Sequence, residues 1–200
     1  MVLPTCNKPQ EKTVFEAILA RRSVRAYTQE KLDRRTVQTL LEAAVRAPTA
    51  MHEEPWAFCI VQDRQLLKRL SDRTKPLFAE EMRRRNSHGA NHSFEHFSDP
   101  EFDIFHGAGT LIIICARSSS PFVVADCWLA AENLMLAACD MGLGSCVIGS
   151  SVSALNQPMV KFELGIPDDY TAIAPIIVGT GNEMTPATPR KAPLILAWQQ

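Results

Sequence analysis

Several absences narrow this sequence before any motif is read. No stretch of its 200 residues approaches the roughly 18 consecutive apolar residues of a membrane-spanning helix. Met1 to Lys12 hold Pro4, Pro9 and several polar side chains, with no apolar core of signal-peptide length. An excess of one charge is missing too, since 21 basic residues face 22 acidic ones for a net charge of -1 and a pI near 6.5. No global field recruits nucleic acid or a membrane surface, so the basic residues that matter must act locally. The six cysteines, at positions 6, 59, 115, 127, 139 and 146, form no Cys-x-x-Cys and stand at no short spacing to histidine. They read as small buried hydrophobes, and a cytoplasmic protein with reduced thiols is expected.

With 46% apolar and 22% charged residues the chain falls in the ordinary globular range, and one domain over residues 1–200 is expected. Its densest chemistry is Arg21-Arg22-Ser23-Val24-Arg25, three guanidiniums and a hydroxyl directly after an amphipathic run. Arginine offers a rigid donor fork that matches phosphate, so the cluster is either a solvated basic face or a phosphate seat. Thr13-x-x-Glu16 is a capping-box pattern, and Val14, Ile18 and Leu19 predict a short helix from about Thr13 to Ala20. A second helix is capped by Asp33, with Leu32 and Val37 as a hydrophobic staple, and should stop near Arg46 or Ala47 because Pro48 follows. Ala47 to Trp56, with Pro48, Thr49, Ala50, Met51, His52, Glu53, Glu54 and Pro55 between them, then form a loop stiffened by two prolines. Such a loop can hold backbone groups against a planar ligand or simply connect a helix to the strand at Ala57 to Val61.

Gln65 to Leu70 and part of Lys75 to Arg85 look helical, and a polar, histidine-rich stretch runs on to about Phe105. Its length suggests a cover over a site, with the lid spanning about residues 75–106. His88, His92 and His96 recur four apart, but Gly89, Asn91 and Ser93 are poor helix formers and no carboxylate stands at ligand spacing. Solvated loop histidines are the reading, and no metal is expected. Thr110 to Ala116 is a β-branched run that predicts a central strand buried on both faces. Val124 to Met141 is apolar nearly all round except for Asp126, Asn133 and Asp140 at sevenfold spacing, which predicts a helix buried in the core or against a second subunit. Gly142 should end it. Ser145 to Gly149 reads as a short strand, Asn156 with Pro158 as a helix start, Gly165 as its stop, and Ile173 to Val178 as the last strand. Gly142-Leu-Gly144 follows a helix and lacks a third glycine, so a dinucleotide-binding turn is excluded by context. The tail from Gly179 carries Pro186, Pro189, Pro193, a second basic pair at Arg190-Lys191, and an apolar end at Leu194 to Trp198 that must dock somewhere.

Taken in order, Arg21-Arg-Ser-Val-Arg25, Ala47-Pro-Thr-Ala50, Glu54-Pro-Trp56, Ala130-Ala-Glu-Asn-Leu134, Gly142-Leu-Gly-Ser145, Ile148-Gly149 and Leu164-Gly-Ile-Pro167 resemble the nitroreductase family, from about Val14 to Trp198. The resemblance implies an α+β, nitroreductase-like fold with a central, mainly antiparallel sheet flanked by helices. It also implies a domain-swapped homodimer with an arm over about residues 180–200, and FMN at sites on the interface. The implied function is hydride transfer from NADH or NADPH through FMN to a small acceptor such as a nitroaromatic, quinone or activated alkene. No catalytic residue is implied, because the flavin carries the chemistry.

By the same resemblance Arg21, Arg22 and Ser23, with Arg190 and the neighbouring Lys191, would hold the phosphate and ribityl chain, and Arg25 would sit near the pyrimidine edge. Pro48, Thr49, Ala50 and His52 would come from the other subunit, while Val147, Ile148 and Gly149 would line the ring. The residues read alone agree, since two basic clusters, a stiff loop and a glycine-ended strand suit a phosphorylated planar cofactor. His52 and Glu54 stand where Asn and Gln are common, a variation similar to the iodotyrosine deiodinase branch. Reductive dehalogenation is therefore the alternative activity, and a non-catalytic flavin- or metal-binding module is the alternative of another class.

Overall fold

A computed structural model describes residues 12–85, 95–117 and 120–200. Cys6, His88 and His92 lie outside the described residues, as does the side chain of His96. The fold is α+β and is built on one strand, β2 (Thr110–Arg117), whose run Leu111-Ile-Ile-Ile-Cys115 alternates between two separate cores. Ile112 and Ile114 point into one and Leu111, Ile113 and Cys115 into the other, all essentially inaccessible to water. A β-branched strand buried on both faces must sit inside a sheet with helices on either side.

The sheet has four antiparallel strands in the order β1-β2-β4-β3, with β1 at Trp56–Val61, β3 at Gly144–Val147 and β4 at Tyr170–Gly179. A bulge in β4 breaks the register between Ile114 and Cys115. On one face pack α2 (Arg34–Ala44) and α4 (Val123–Asp140), through Val37, Leu40, Ala44, Cys127, Ala130, Leu134 and Ala138. On the other lie α3 (Arg64–Arg85), α5 (Val152–Leu155) and α6 (Pro158–Leu164), through Leu67, Leu70, Leu155 and Val160. The caps fall where the residues put them. Thr13 and Glu16 close the capping box of α1 (Val14–Ala20), and Asp33 accepts from the Thr36 amide at 2.9 Å. Gly142 takes up φ +74° just beyond the end of α4.

Two local expectations change. The two helical stretches after Gln65 are one helix, α3, which continues through Pro76. A proline in a helix interior costs about 3 kcal/mol or more, and here tertiary contacts offset it. The Ser71 hydroxyl accepts from the Ile104 amide at 3.1 Å, and the buried Lys75 ammonium donates to the carbonyls of Asp99, Pro100 and Phe102. Asn156 does not start a helix but ends α5. Gln157 starts α6, with Pro158 at the first helical position, while the Asn156 carboxamide clamps both backbone groups of Ala172 at 2.9 Å. Asp126, Asn133 and Asp140 of α4, the polar exceptions on an otherwise apolar helix, each find a backbone partner. Asp126 accepts from the Ala50 amide, Asn133 donates to the Ala43 carbonyl at 3.3 Å, and Asp140 accepts from the Lys12 amide at 2.8 Å. The sevenfold stripe is a polar seam that ties α1's entry, α2's end and the following loop to one helix.

Gly109, just before β2, is forced by close approach, since a Cβ there would meet the Glu30 carbonyl oxygen at 2.4 Å. Gly109→Ala is expected to destabilise the fold by about 2–4 kcal/mol and lower Tm by roughly 5–10 °C, measured by calorimetry. An unchanged Tm would contradict this packing.

Candidate active site

The arginine segment is placed by backbone pairing. Val24 donates to the Ser145 carbonyl at 3.0 Å, Thr28 donates to Thr180, and Asn182 donates to Ala26, both at 2.9 Å. Residues 21–28 are thus fastened between β3 and the chain that leaves β4. The approach is close enough to need glycine at 144, because a Cβ there would lie 2.8 Å from the Val24 side chain. Tyr27 is buried against Gly179, and burial pushes its phenol well above its usual pKa.

This pairing brings the start of the chain and its tail around one cavity of about 830 Å³. Arg21, Arg22, Ser23 and Arg25 line it together with Thr185, Thr188 and Arg190. Arg22 also donates to the Leu19 and Arg21 carbonyls at the C-terminus of α1, where a cation is favoured. Arg25 lines a second cavity as well, of about 320 Å³, with Cys146, Val147, Ile148 and Gly149 along one wall and Phe97, Phe102 and His106 along another. The aromatic groups there are in contact, with Phe97 and Phe102 centroids 5.4 Å apart and Phe102 and His106 5.9 Å apart. Burial raises the Cys146 thiol pKa, against the opposing pull of Arg25, Ser23 and Arg21, so in this setting it is a neutral wall group. The two cavities share Arg25, which stands where a basic, hydroxyl-rich half meets one with aromatic and aliphatic walls.

Of the residues singled out in the sequence, Arg21, Arg22, Ser23, Arg25 and Arg190 therefore converge, and Val147, Ile148 and Gly149 adjoin them. Lys191 lines neither cavity, and neither do Pro48, Thr49, Ala50 and His52. That loop lies across α4 instead, and its backbone is strained: Met51, His52 and Glu54 hold φ of 55°, 56° and 44°. Side chains other than glycine rarely take up this region, and clusters of such residues mark functional sites. Met51, His52 and Glu54 all face outward. The loop's base is held by Asp126, a carboxylate only 3% exposed in the first turn of α4, which receives the Ala50 amide at 3.2 Å.

Thr185, Thr188, Phe97, Phe102 and His106 were not singled out as site residues. The threonines flank Arg190 in the tail, a signal available to inspection. The aromatic wall had none, because its members meet only through the fold.

A family model described as the Nitroreductase family matches residues 18–180. A putative NADH dehydrogenase/NAD(P)H nitroreductase of Archaeoglobus fulgidus is 29% identical over 170 residues, covering 82% of this chain and 83% of its own. An iodotyrosine deiodinase of Thermotoga neapolitana is 28% identical over 137 residues, covering 67% of this chain and 72% of its own. Among solved structures, a nitroreductase with bound FMN from Bacteroides fragilis superposes with a TM-score of 0.79 at 28% identity, over 94% of this chain and all of its own.

If Asp126 clamps the strained loop, Asp126→Ala leaves the Ala50 amide without its acceptor. The expected result is a loss of about 1–3 kcal/mol in stability and faster proteolysis between Met51 and Glu54. Asp126→Asn, which keeps an acceptor oxygen, should restore most of both. Wild-type proteolysis rates in Asp126→Ala would contradict the clamp.

Proposed function

The chain belongs to the nitroreductase family, and from that premise we propose that it is an FMN-dependent oxidoreductase that uses NADH or NADPH to reduce a small acceptor. The observation that carries this reading is the convergence of four arginines and three hydroxyls on a cavity of about 830 Å³ that meets, at Arg25, a second cavity walled by Phe97, Phe102, Val147 and Ile148. The residues present fit FMN on both counts. Arg21, Arg22, Arg25 and Arg190 supply guanidinium donors for a phosphate, with Ser23, Thr185 and Thr188 for polyol hydroxyls. Val147, Ile148 and Gly149 border the part that a flat ring system would enter, with Ile104 and Phe102 opposite. When bound, FMN supplies the two-electron chemistry, accepting hydride from the nicotinamide and passing it to an acceptor such as a nitroaromatic, a quinone or an activated alkene.

The chain's own residues then have limited tasks. The arginines bind and orient. Arg25 places positive charge at the junction, where it lowers the cost of negative charge accumulating on a ring. Phe97, Phe102 and His106 lie within the stretch read as a cover and shield the second cavity from water.

A homodimer completes this reading. The outer edge of β1 pairs with no strand among the described residues, and Trp56, Ala57, Phe58, Cys59 and Ile60 of β1 are only half-buried. The tail meanwhile leaves Leu194, Leu196 and Trp198 at 86%, 90% and 75% exposure. Phe15 and Leu19 of α1 and Trp128 and Leu129 of α4 form further exposed apolar surface, more than a lone chain is expected to present to water. Residues 180–200 serve as an arm that docks on a second copy, and the loop at Pro48, Thr49, Ala50 and His52 serves the site of that copy. Reductive dehalogenation is favoured by one observation, the similarity to the Thermotoga neapolitana deiodinase. Absence of halide release from halotyrosines under reducing conditions would remove it.

Two measurements check the assignment. Arg190→Ala should weaken FMN binding about 10- to 100-fold in a fluorescence titration, the loss of one charge-assisted contact. Full-strength binding would remove Arg190 from the seat. Deleting residues 192–200, which spares Arg190, should convert the dimer to monomer in sedimentation experiments, and an intact dimer would refute the docking arm.

A further inference from the structure

The cavity that gathers Arg21, Arg22, Arg25 and Arg190 has a single acidic side chain among its described lining residues, Glu132 of α4. Its Oε1 lies 3.8 Å from Arg21 Nε, within ion-pair range and beyond hydrogen-bond length. The Glu132 side chain makes no hydrogen bond to any described residue, and it is 50% exposed against 19% for Arg21. It does not hold Arg21 in a fixed geometry, as a bidentate partner would. Nor does it satisfy a buried group of the fold. Its place in the wall is explained by charge alone, since clustered guanidiniums repel one another and a nearby carboxylate relieves that repulsion while no other anion is present.

The geometry points to Glu132 as a built-in competitor for Arg21, a counter-anion that must give up the guanidinium when a phosphate enters and so weakens the site's hold on its ligand. The role follows from the cavity, and only the identity of the phosphate as that of FMN rests on the function proposed above. Glu132 therefore sets how readily the phosphate-bearing ligand leaves. It acts through the charge of Arg21 and not by contact with the ligand.

The test is Glu132→Gln, which keeps the shape and removes the charge. Titrated into apoprotein, both inorganic phosphate and FMN should bind about 3- to 10-fold more tightly than to wild type, the scale of one charge acting across a half-exposed site. Riboflavin, which lacks the phosphate, should show no change. In an Arg21→Ala background the gain from Glu132→Gln should fall to less than half, because the pair it relieves is gone. Unchanged or weaker phosphate binding in Glu132→Gln would overturn the proposal. So would an equal gain for riboflavin, or a gain undiminished without Arg21. If phosphate binding tightens while FMN binds to neither protein, the competitor role stands and the flavin assignment falls.

Discussion

The structure depends on how near residues 21–28 can come to β3 and the end of β4. Three backbone hydrogen bonds, from Val24, Thr28 and Asn182, hold that segment in place, and the first requires that Val24 lie over residue 144 without meeting a side chain. Gly144 makes the approach possible, and Gly179 does the same for the Tyr27 ring. From this contact follows the position of every arginine in the site. Arg21 and Arg22 leave the end of α1, Arg25 reaches the boundary with the second cavity, and the chain beyond Thr180 is turned so that Arg190 closes the far side. Each hydrogen bond contributes only about 1 kcal/mol net, but together they convert a local run of charge into a cavity.

A second constraint shapes the face that carries the strained loop. α4 buries most of its surface against the sheet and against α2, and its three polar residues at sevenfold spacing each meet a backbone group of a different segment. Asp126 is the costly member, a carboxylate taken out of water. The amide of Ala50 and the start of its own helix compensate it. The loop it anchors carries three residues in the left-handed region, which no local preference would produce. Trp128 and Leu129 of the same helix remain exposed, so one element serves the core, the loop and the surface available to a second chain.

Much of this was legible in the sequence, and the reasons are physical. β2 could be read because a β-branched run has few places to go in a soluble fold, and the helix caps because Thr13, Asp33 and Gly142 each perform a single local task. The basic site was legible as a cluster, and Arg190 joined it through a family resemblance that the match over residues 18–180 bears out for the fold. What could not be read was whatever only tertiary contact decides. Pro76 signals a helix break, yet buried Thr74 and Lys75 keep α3 continuous. Asp126 is typed as a surface residue, and its burial depends on a loop more than 70 positions away. The aromatic wall of Phe97, Phe102 and His106 exists only once the chain before β2 folds back over β3.

The central claim is that the paired cavities hold a flavin that nicotinamide reduces. The most direct measurement is the visible absorption spectrum of the purified protein reconstituted with FMN, recorded anaerobically before and after addition of NADH or NADPH. The account predicts a flavin band that bleaches with at least one donor and returns when a nitroaromatic or quinone is added. A protein that retains no FMN, or a bound flavin that neither donor bleaches, would contradict it.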